Sequence, residues 1–315
     1  MSKVEKIILI VALAMLPVGI ILAVIGFRFA GTKGWAVDLE TMQYADNGNI
    51  IEKTVDLEEF DELKIDMDAT DMTVTAGDAY RIHYRVPESR EPEIRQDGKT
   101  LTITHPEKRN VMMFNFDTED EVIELTVPAN DKKYALDFKA SSGRYIFDHV
   151  ALEGQIKLTS GELKLSDFDA SDLNVEISSG EVYAERINLD KLSAKQTSGD
   201  FTINDAKIKD LRLEASSGDY ALKNVNADSV FCQLSSGKMN MEGVEADQID
   251  GKMTSGTFHM DLIGNAEDYD YDISMTSGDL DLDGEDLEHQ YKVEKGRDKK
   301  ITMKATSGDI EIDFR

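Results

Sequence analysis

Acidic side chains are the residues of this chain whose spacing could do chemistry. Two short segments carry a carboxylate at every second position, and together they supply Asp279, Asp281, Asp283, Asp309, Glu311 and Asp313. Alternate residues of a strand share a face, so two such strands stacked about 4.8 Å apart would gather all six carboxylates. Like charges placed in this way repel each other, and a calcium ion, which takes several oxygen ligands, would relieve the repulsion. We therefore predict a calcium face, with protection of a sheet edge against aggregation as the alternative.

Signatures of catalysis are missing from the rest of the sequence. The histidines form neither an H-x-H nor an H-E-x-x-H pattern, and there is no G-x-S-x-G, P-loop or dinucleotide fingerprint. His259 is predicted to point outward, but its sequence neighbours Thr257 and Asp261 do not complete a familiar metal site. The single cysteine, Cys232, excludes an intrachain disulfide and falls in a column of apolar residues. We expect no catalytic residue and no cofactor apart from the calcium.

The acidic segments belong to a motif that recurs nine times. Each copy is a Ser-Gly dipeptide preceded by Ser or Thr, and its glycines are Gly143, Gly161, Gly180, Gly199, Gly218, Gly237, Gly256, Gly278 and Gly308. The steps between successive glycines are 18, 19, 19, 19, 19, 19, 22 and 30 residues. A fixed period near 20 residues is the signature of a solenoid.

Apolar and polar residues alternate on both sides of each Ser-Gly corner. Apolar columns lie seven, five and three residues before the glycine and two, four and seven after it; the copy at Gly218 has Leu211, Leu213, Ala215, Tyr220, Leu222 and Val225. The period of two predicts strands with one buried face. Two strands and a rounded side then make one coil of about 19 residues, and stacked coils bury a continuous core. Ile263 completes the last apolar column, and Gln196 is the one polar residue in the columns that flank the corner.

The Ser-Gly corner itself has two interpretations. A sharp bend between strands often needs a positive φ, which glycine adopts without steric cost. The hydroxyls before it could bond to nearby backbone and serve the corner alone. Repeated on every coil, they could also form a face that binds ice or sugar.

The sequence predicts four segments. Ile7–Phe27 is 21 residues long without a charge, enough to cross a bilayer core, which needs about 20. We therefore predict a transmembrane signal anchor in residues 1–29 with the following domain outside the cell, and a spacer over residues 30–50. Residues 51–131 are predicted to be an irregular β cap, and residues 132–315 a solenoid of about nine coils. The fold class is thus all-β, a parallel β-solenoid. The longer eighth and ninth periods place insertions around Gly264–Asp270 and Asp286–Lys300, predicted to be surface loops.

Five strands are predicted within the cap because short apolar runs alternate with polar residues: Leu63–Met67, Met72–Thr75, Arg81–Val86, Leu101–Thr104 and Val122–Val127. Asp97-Gly98 is a turn signal between two of them.

The charge distribution limits the partners. The chain carries −27, and residues 1–35 contribute +3, so the remainder carries −30. Such a domain repels nucleic acid and anionic lipid, whereas basic peptides and divalent cations could be attracted.

The corner copies KLTSGELKL, EISSGEVYA, EASSGDYAL and KATSGDIEI, preceded by a membrane anchor, resemble the LiaG-like adhesin family, a domain of unknown function common in Firmicutes. The resemblance covers roughly residues 50–315. It implies a β-solenoid, an envelope location and association with envelope stress systems, and it implies no catalytic residues.

Two classes of function therefore stay open. The first is a non-enzymatic binding or scaffold module, tethered to the membrane through residues 7–27, that contacts a cell-wall component or an envelope protein. The second is a β-helical polysaccharide lyase or hydrolase, for which the Asp286–Lys300 insertion is the one place that could carry a site. A third possibility is a domain that faces the cytoplasm and acts as a regulator by binding a signalling partner. Nucleic acid is not an expected partner.

Overall fold

The computed structural model describes residues 35–38, 44–45, 50–105, 111–114, 121–130 and 132–315. The chain divides into two compact units. The smaller unit contains an antiparallel sheet in which β1 (Trp35–Asp38) pairs with β2 (Tyr44–Ala45) and with β9 (Val111–Phe114). The predicted anchor, Ile7–Phe27, lies outside the described residues, and within them no helix has the length and apolar content needed to span a bilayer.

The larger unit is all-β with mostly parallel pairing. Its strands are β3 (Ile50–Asp56), β4 (Glu62–Ala69), β5 (Asp71–Gly77), β6 (Arg81–Pro87), β7 (Glu93–Asp97), β8 (Thr100–Thr104), β10 (Val122–Pro128), β11 (Tyr134–Ser142), β12 (Arg144–Asp148), β13 (Leu152–Leu158), β14 (Glu162–Ala215), β15 (Asp219–Leu234), β16 (Lys238–Met253), β17 (Thr257–Leu262), β18 (Tyr269–Ser277), β19 (Leu280–Leu282), β20 (Glu285–Leu287), β21 (Gln290–Val293), β22 (Lys299–Ser307) and β23 (Asp309–Phe314). Two short 3₁₀ turns, Glu88–Arg90 and Ala266–Asp268, interrupt them.

The pairing step of the parallel strands equals the sequence repeat. Phe201 pairs with Tyr220, and Tyr220 pairs with Met239, 19 residues further on in each case. The residues predicted to point inward at this level are buried, except Ala215, which is partly buried; Leu213 and Cys232, for example, are neighbours in the core. The alternation therefore predicted both the strand faces and the register.

A second corner, predicted only as a rounded side, lies six residues after the glycine in each of the first six coils. Its residues have φ between 47° and 53° in five coils: His149, Asp167, Arg186, Asp205 and Asn224. Asn and Asp are the non-glycine residues that most readily adopt this left-handed conformation. Their side chains also bond between coils, since Asn224 Nδ2 donates to Asp205 Oδ1 at 2.8 Å.

The parallel stack extends into the section before the first Ser-Gly corner. β4 pairs in parallel with β11, and β5 pairs in parallel with β12. Outside them, β8 pairs with β4 and β10 pairs with β5, again in parallel. Antiparallel strands then cover this end, β7 on β8 and β6 on β10. All five strands predicted for this section are present, and the turn predicted at Asp97-Gly98 joins β7 to β8.

At the other end the coils do not stack in sequence order. β17 of the seventh coil pairs with β23 of the ninth, Phe258 facing Ile310. β22 pairs with β16 on one side and with β18 of the eighth coil on the other. The ninth coil therefore lies between the seventh and the eighth.

The insertion at Asp286–Lys300 was predicted to be a surface loop, and that prediction is wrong for most of its length. It contributes to β20, which pairs antiparallel with β19, and forms β21, which pairs antiparallel with β18. These strands cover the outer edge of the eighth coil, where unpaired backbone groups would otherwise be exposed. Asp270 secures the following turn by accepting backbone hydrogen bonds from Lys295, Gly296 and Arg297 at 2.8 to 3.2 Å.

Ile263 was predicted to be buried and is instead 45% exposed. The cause is a register shift between β16 and β17, at which Val244 pairs with Leu262. The seventh coil lacks the extra corner residue that Gly243 supplies in the sixth. The residue that points into the core is therefore six, and not seven, positions after the corner glycine. Leu262 fills it and is fully buried.

Candidate ligand groove and carboxylate face

A groove runs across the coils beside the Ser-Gly corners. Two contiguous cavities of about 690 and 360 Å³ form it, and they share Gln233 and Ser235. One wall consists of the residues four before each glycine, such as Lys157 and Glu176, and the other of the Ser or Thr two before it. The floor is the column of residues between them, three before each glycine, such as Leu158 and Ile177. The groove therefore repeats one set of polar groups at the coil spacing, about 4.8 Å.

The glycines keep this wall regular. Gly218 has a φ of 135°, and a Cβ placed on it would collide with the carbonyl oxygen of Gly199 in the adjacent coil. Backbone groups of the corner pair from coil to coil, as where Ser217 N donates to Thr197 O at 3.0 Å. Hydroxyl bonding to backbone also occurs, since Ser277 Oγ donates to Thr306 O at 3.3 Å. The Ser or Thr two before each glycine is exposed in all nine copies, so this row of hydroxyls faces solvent.

The middle of the groove is balanced in charge. Lys157 Nζ lies 3.3 Å from Glu176 Oε2, and Lys195 Nζ lies 3.4 Å from Glu214 Oε2. The hydrogen bond from Lys157 lowers the pKa of Glu176, and the bond from Arg212 is the main cause of the lowered pKa of Glu214. Both carboxylates are therefore charged at neutral pH.

Gln196 is the polar residue among the inward columns, and it is 5% exposed. Its amide bonds to neighbouring backbone: Nε2 donates to Gly180 O at 2.7 Å and to Ser198 O at 3.1 Å. Its Oε1 also accepts a 2.9 Å hydrogen bond from the Tyr220 hydroxyl, which lies in the next coil. Burial raises the pKa of Tyr220, so the phenol stays protonated and can donate this bond. Gln196 thus braces the corner beneath the groove.

The predicted calcium residues do stack in register, with Asp281 opposite Glu311. Three of the six carboxylates nevertheless accept backbone hydrogen bonds. Asp309 Oδ1 accepts from Asp279 N at 3.1 Å, Asp281 Oδ1 from Gly284 N at 2.8 Å, and Asp283 Oδ1 from Phe314 N at 2.9 Å. The bonds of Asp309 and Asp283 join the eighth coil to the ninth, and the bond of Asp281 closes a turn within the eighth coil, so the acidic columns also have a structural role.

His259 joins this face from the other side. Its Nδ1 lies 2.8 Å from Glu311 Oε2, and ligand atoms of His259, Glu311 and Asp313 all lie within 4.8 Å of one another. Burial and the nearby Glu311 carboxylate raise the pKa of Asp313. One nitrogen and two carboxylate ligands could hold a divalent ion. His259 was not predicted to join this face, because it lies beside Glu311 only when the ninth coil, and not the eighth, stacks on the seventh.

A second group of this kind, Asp148, His149 and Asp167, is spread over two coils at the left-handed corner. Arg186 already donates to both carboxylate oxygens of Asp167, at 2.8 and 2.7 Å. The guanidinium lowers the pKa of Asp167 and supplies the positive charge that an ion would bring.

A buried polar cluster at the beginning of the stack was also missed. Arg90 pairs with Glu121 and donates through Nη2 to Thr70 Oγ1 at 3.0 Å, and His105 contacts both Arg90 and Thr70. Thr70 occupies the position of a corner glycine in the layer before Gly143, since its carbonyl oxygen faces Gly143. The members of this cluster are 15 to 51 residues apart in sequence, so no local sequence pattern could have predicted it. The cluster closes this end of the row of corners.

Cys232 is buried in the inward column predicted for it. Burial raises its pKa, which keeps the thiol protonated and unreactive.

Parallel coils with repeated Ser-Gly corners define an all-β, mostly parallel, solenoid-like class of protein. Within that class, the chain belongs to the Toastrack DUF4097 family, whose model matches residues 60–313. This match confirms the family resemblance seen in the sequence.

Similar solved structures include a "putative adhesin" from Bacteroides fragilis, at 13% identity and a TM-score of 0.45, covering 84% of this chain and 97% of that chain. Another is a "putative lipid binding protein" from Parabacteroides distasonis, at 16% identity and a TM-score of 0.49, covering 85% of this chain and 98% of that chain. A search of curated protein sequences found no match.

Proposed function

We propose that this chain is a non-enzymatic binding module of the cell envelope that holds an extended cell-wall polymer along the corner groove. The observation that carries the proposal is the continuity of the groove, whose lining runs from Asp66 to Thr306 across successive coils. A site that repeats at a fixed step suits a ligand that also repeats. The exposed hydroxyls can donate and accept hydrogen bonds, as sugar recognition requires.

The proposed location follows from the apolar segment Ile7–Phe27, which would tether the module to the membrane with the repeat domain outside. Protease added to intact cells tests this placement. Cleavage of the repeat domain in intact cells supports an external domain. Protection until the cells are lysed would favour the cytoplasm-facing regulator.

A polysaccharide lyase or hydrolase is the competing function. Such an enzyme needs an acid and a base beside the scissile bond. The Asp286–Lys300 insertion was the candidate source, but of its residues only Gln290 lines the groove, and an amide does neither task. The carboxylates of the central wall are ion-paired with lysines, which favours binding over proton transfer.

Binding is tested with the full chain in detergent and soluble glycan strands released from peptidoglycan. The variant Thr159→Val/Thr197→Val removes two hydroxyls of the long groove while keeping the side-chain shape. The control Thr202→Val/Thr257→Val makes the same change on the second strands, away from the groove. We expect the first variant alone to weaken binding. Equal binding by both variants, or new chain ends released from the glycan, would contradict the proposal.

A further inference from the structure

One end of the groove differs from the rest in charge. The 360 Å³ cavity there is lined by Lys252 and Lys304, by hydroxyls that include Thr254 and Thr306, and by the amides of Gln233 and Gln290. No aspartate or glutamate is among its lining residues. The chain has 62 acidic residues against 35 lysines and arginines. A cavity with lysines and no carboxylate is therefore a positively charged site on a negatively charged protein. We name this cavity the lysine pocket.

The two lysines face each other directly. Lys252 of β16 pairs in register with Lys304 of β22, and adjacent strands are about 4.8 Å apart. Like charges directly opposite each other destabilise a sheet. Lys139 and Lys157 also face each other in this column, but Lys139 pairs with Asp137. Lys157 and Lys195 each pair with a glutamate. Lys252 and Lys304 have no carboxylate partner within the described part of the chain.

The nearest carboxylate along β16 is Asp250, two residues before Lys252. It does not line the pocket, and its Oδ1 is buried. Lys252 Nζ lies 5.0 Å from the centre of the Phe231 ring, a cation–π contact that leaves its charge unneutralised. The juxtaposition depends on the order of the coils. If the eighth coil stacked on the seventh, Lys252 would face Ser274, which is instead the partner of Lys304 on its other side.

We propose that the lysine pocket binds phosphate groups of an extended anionic polymer. An oxyanion held between the two ammonium groups would neutralise both and remove their repulsion. Lysine binds phosphate as a compact point charge. The surrounding hydroxyls and amides supply donors for the remaining oxygens, and a tetrahedral phosphate uses more of them than a planar carboxylate can.

The form of the polymer follows from the shape of the groove, and this step rests on the proposed function. The pocket continues into the long neutral groove through Gln233 and Ser235, so a chain bound there can extend along the coils. A membrane surface with phosphate headgroups is a poorer fit. It is broad, and it would bring its negative charge against a protein of net charge −27. A thin chain reaches the lysines without approaching the acidic faces.

The test uses the full chain in detergent with fluorescently labelled linear polyphosphate as the probe. The variant Lys252→Gln/Lys304→Gln removes the pocket charges. The control Lys207→Gln/Lys238→Gln changes the net charge equally at two exposed lysines outside the pocket. We expect the first variant to weaken binding about tenfold or more, which corresponds to about 1.4 kcal/mol. We expect the control to bind as the unaltered protein does, and Lys252→Arg/Lys304→Arg to retain binding.

Three comparisons separate the possible sources of the anion. Inorganic phosphate at an equal phosphate concentration should compete weakly, because it lacks the extended chain. Polygalacturonate should bind less tightly than polyphosphate. Tighter binding to phosphatidylglycerol vesicles than to polyphosphate would overturn the polymer assignment in favour of a lipid headgroup. Equal polyphosphate affinity in the pocket and control variants, with unchanged melting curves, would overturn the pocket.

The proposed function can fail separately. If the threonine variant weakens binding of peptidoglycan strands while the lysine variant leaves polyphosphate binding unchanged, the groove is supported and the lysine pocket is rejected. If only the lysine variant weakens binding, the pocket is an isolated anion site and the extended groove is rejected.

Discussion

Gly251 and Met303 share one space in the core. They are register partners on β16 and β22, and a Cβ on Gly251 would collide with the Sδ and Cε atoms of Met303. The long flexible methionine fills the volume that an apolar side chain occupies at this position of most coils. This fit exists only because the ninth coil lies against the seventh.

The shared space predicts a compensating pair of substitutions. Met303→Ala should lower the free energy of unfolding by about 2–5 kcal/mol by leaving a cavity. Gly251→Leu should also destabilise the protein, because it overfills the same site. The double variant should be more stable than the sum of the two losses predicts, as measured by urea unfolding. Additive losses would contradict the contact and the coil order that produces it.

Alanine substitutions at two glycines with the same φ distinguish the energetic cost of backbone strain from the cost of a steric collision. Gly218 and Gly264 have the same φ, 135°, but a Cβ added at Gly218 would meet the carbonyl oxygen of Gly199, whereas one added at Gly264 would meet open space. Both Gly218→Ala and Gly264→Ala should cost about 1–3 kcal/mol for the unfavourable φ. Gly218→Ala should cost more, because a paired backbone cannot move aside. Equal melting temperatures for the two variants would show that the stacked corners can separate.

Two aspartates should respond to pH in opposite directions. The pKa of Asp313 is raised, chiefly by burial. The protein therefore loses stability as the pH rises from the pKa of Asp313 in the unfolded state to its higher pKa in the folded state. The pKa of Asp270 is lowered by backbone hydrogen bonds, so its contribution is present above the unfolded pKa and lost as the pH falls through the folded one. At pH 7, Asp313→Asn should raise the melting temperature and Asp270→Asn should lower it. Both differences should shrink toward pH 2, and equal signs at pH 7 would contradict this assignment.

Calcium and zinc should distinguish two possible metal sites, the predicted calcium face and the group that contains His259. Millimolar calcium should raise the melting temperature, and Asp281→Asn/Glu311→Gln should abolish that rise. Zinc, which accepts imidazole nitrogen, should act through His259, Glu311 and Asp313. His259→Gln should therefore remove the zinc shift and leave the calcium shift. If neither ion shifts the melting temperature, edge protection remains the explanation for the acidic columns.

The repeat predicted the local structure well because each signal is local. Glycines at a 19-residue step and alternating apolar columns specify the corner, the strand faces and the register between equal coils. The Ile263 error arose where one corner residue is missing, since a column counted from the glycine no longer matches the chain. The left-handed corner left a weaker signal, a polar residue six after the glycine, which differs in type from coil to coil.

The order of the last coils could not be predicted in this way. Equivalent coils present the same face to any neighbour, so periodicity shows that they stack but not which one follows which. The contacts that depend on this order were missed together: His259 with Glu311, and Lys252 with Lys304. The Arg90 cluster was missed for another reason, because its members meet only through the tertiary fold.

The inserted ninth coil has a consequence for association between molecules. If β22 and β23 leave their place, the seventh and eighth coils present two parallel strand edges with a slot between them. The register of that slot suits one segment best, namely the same two strands, whether from this chain or from a second copy. The topology therefore predicts that conditions which loosen the ninth coil favour domain-swapped dimers.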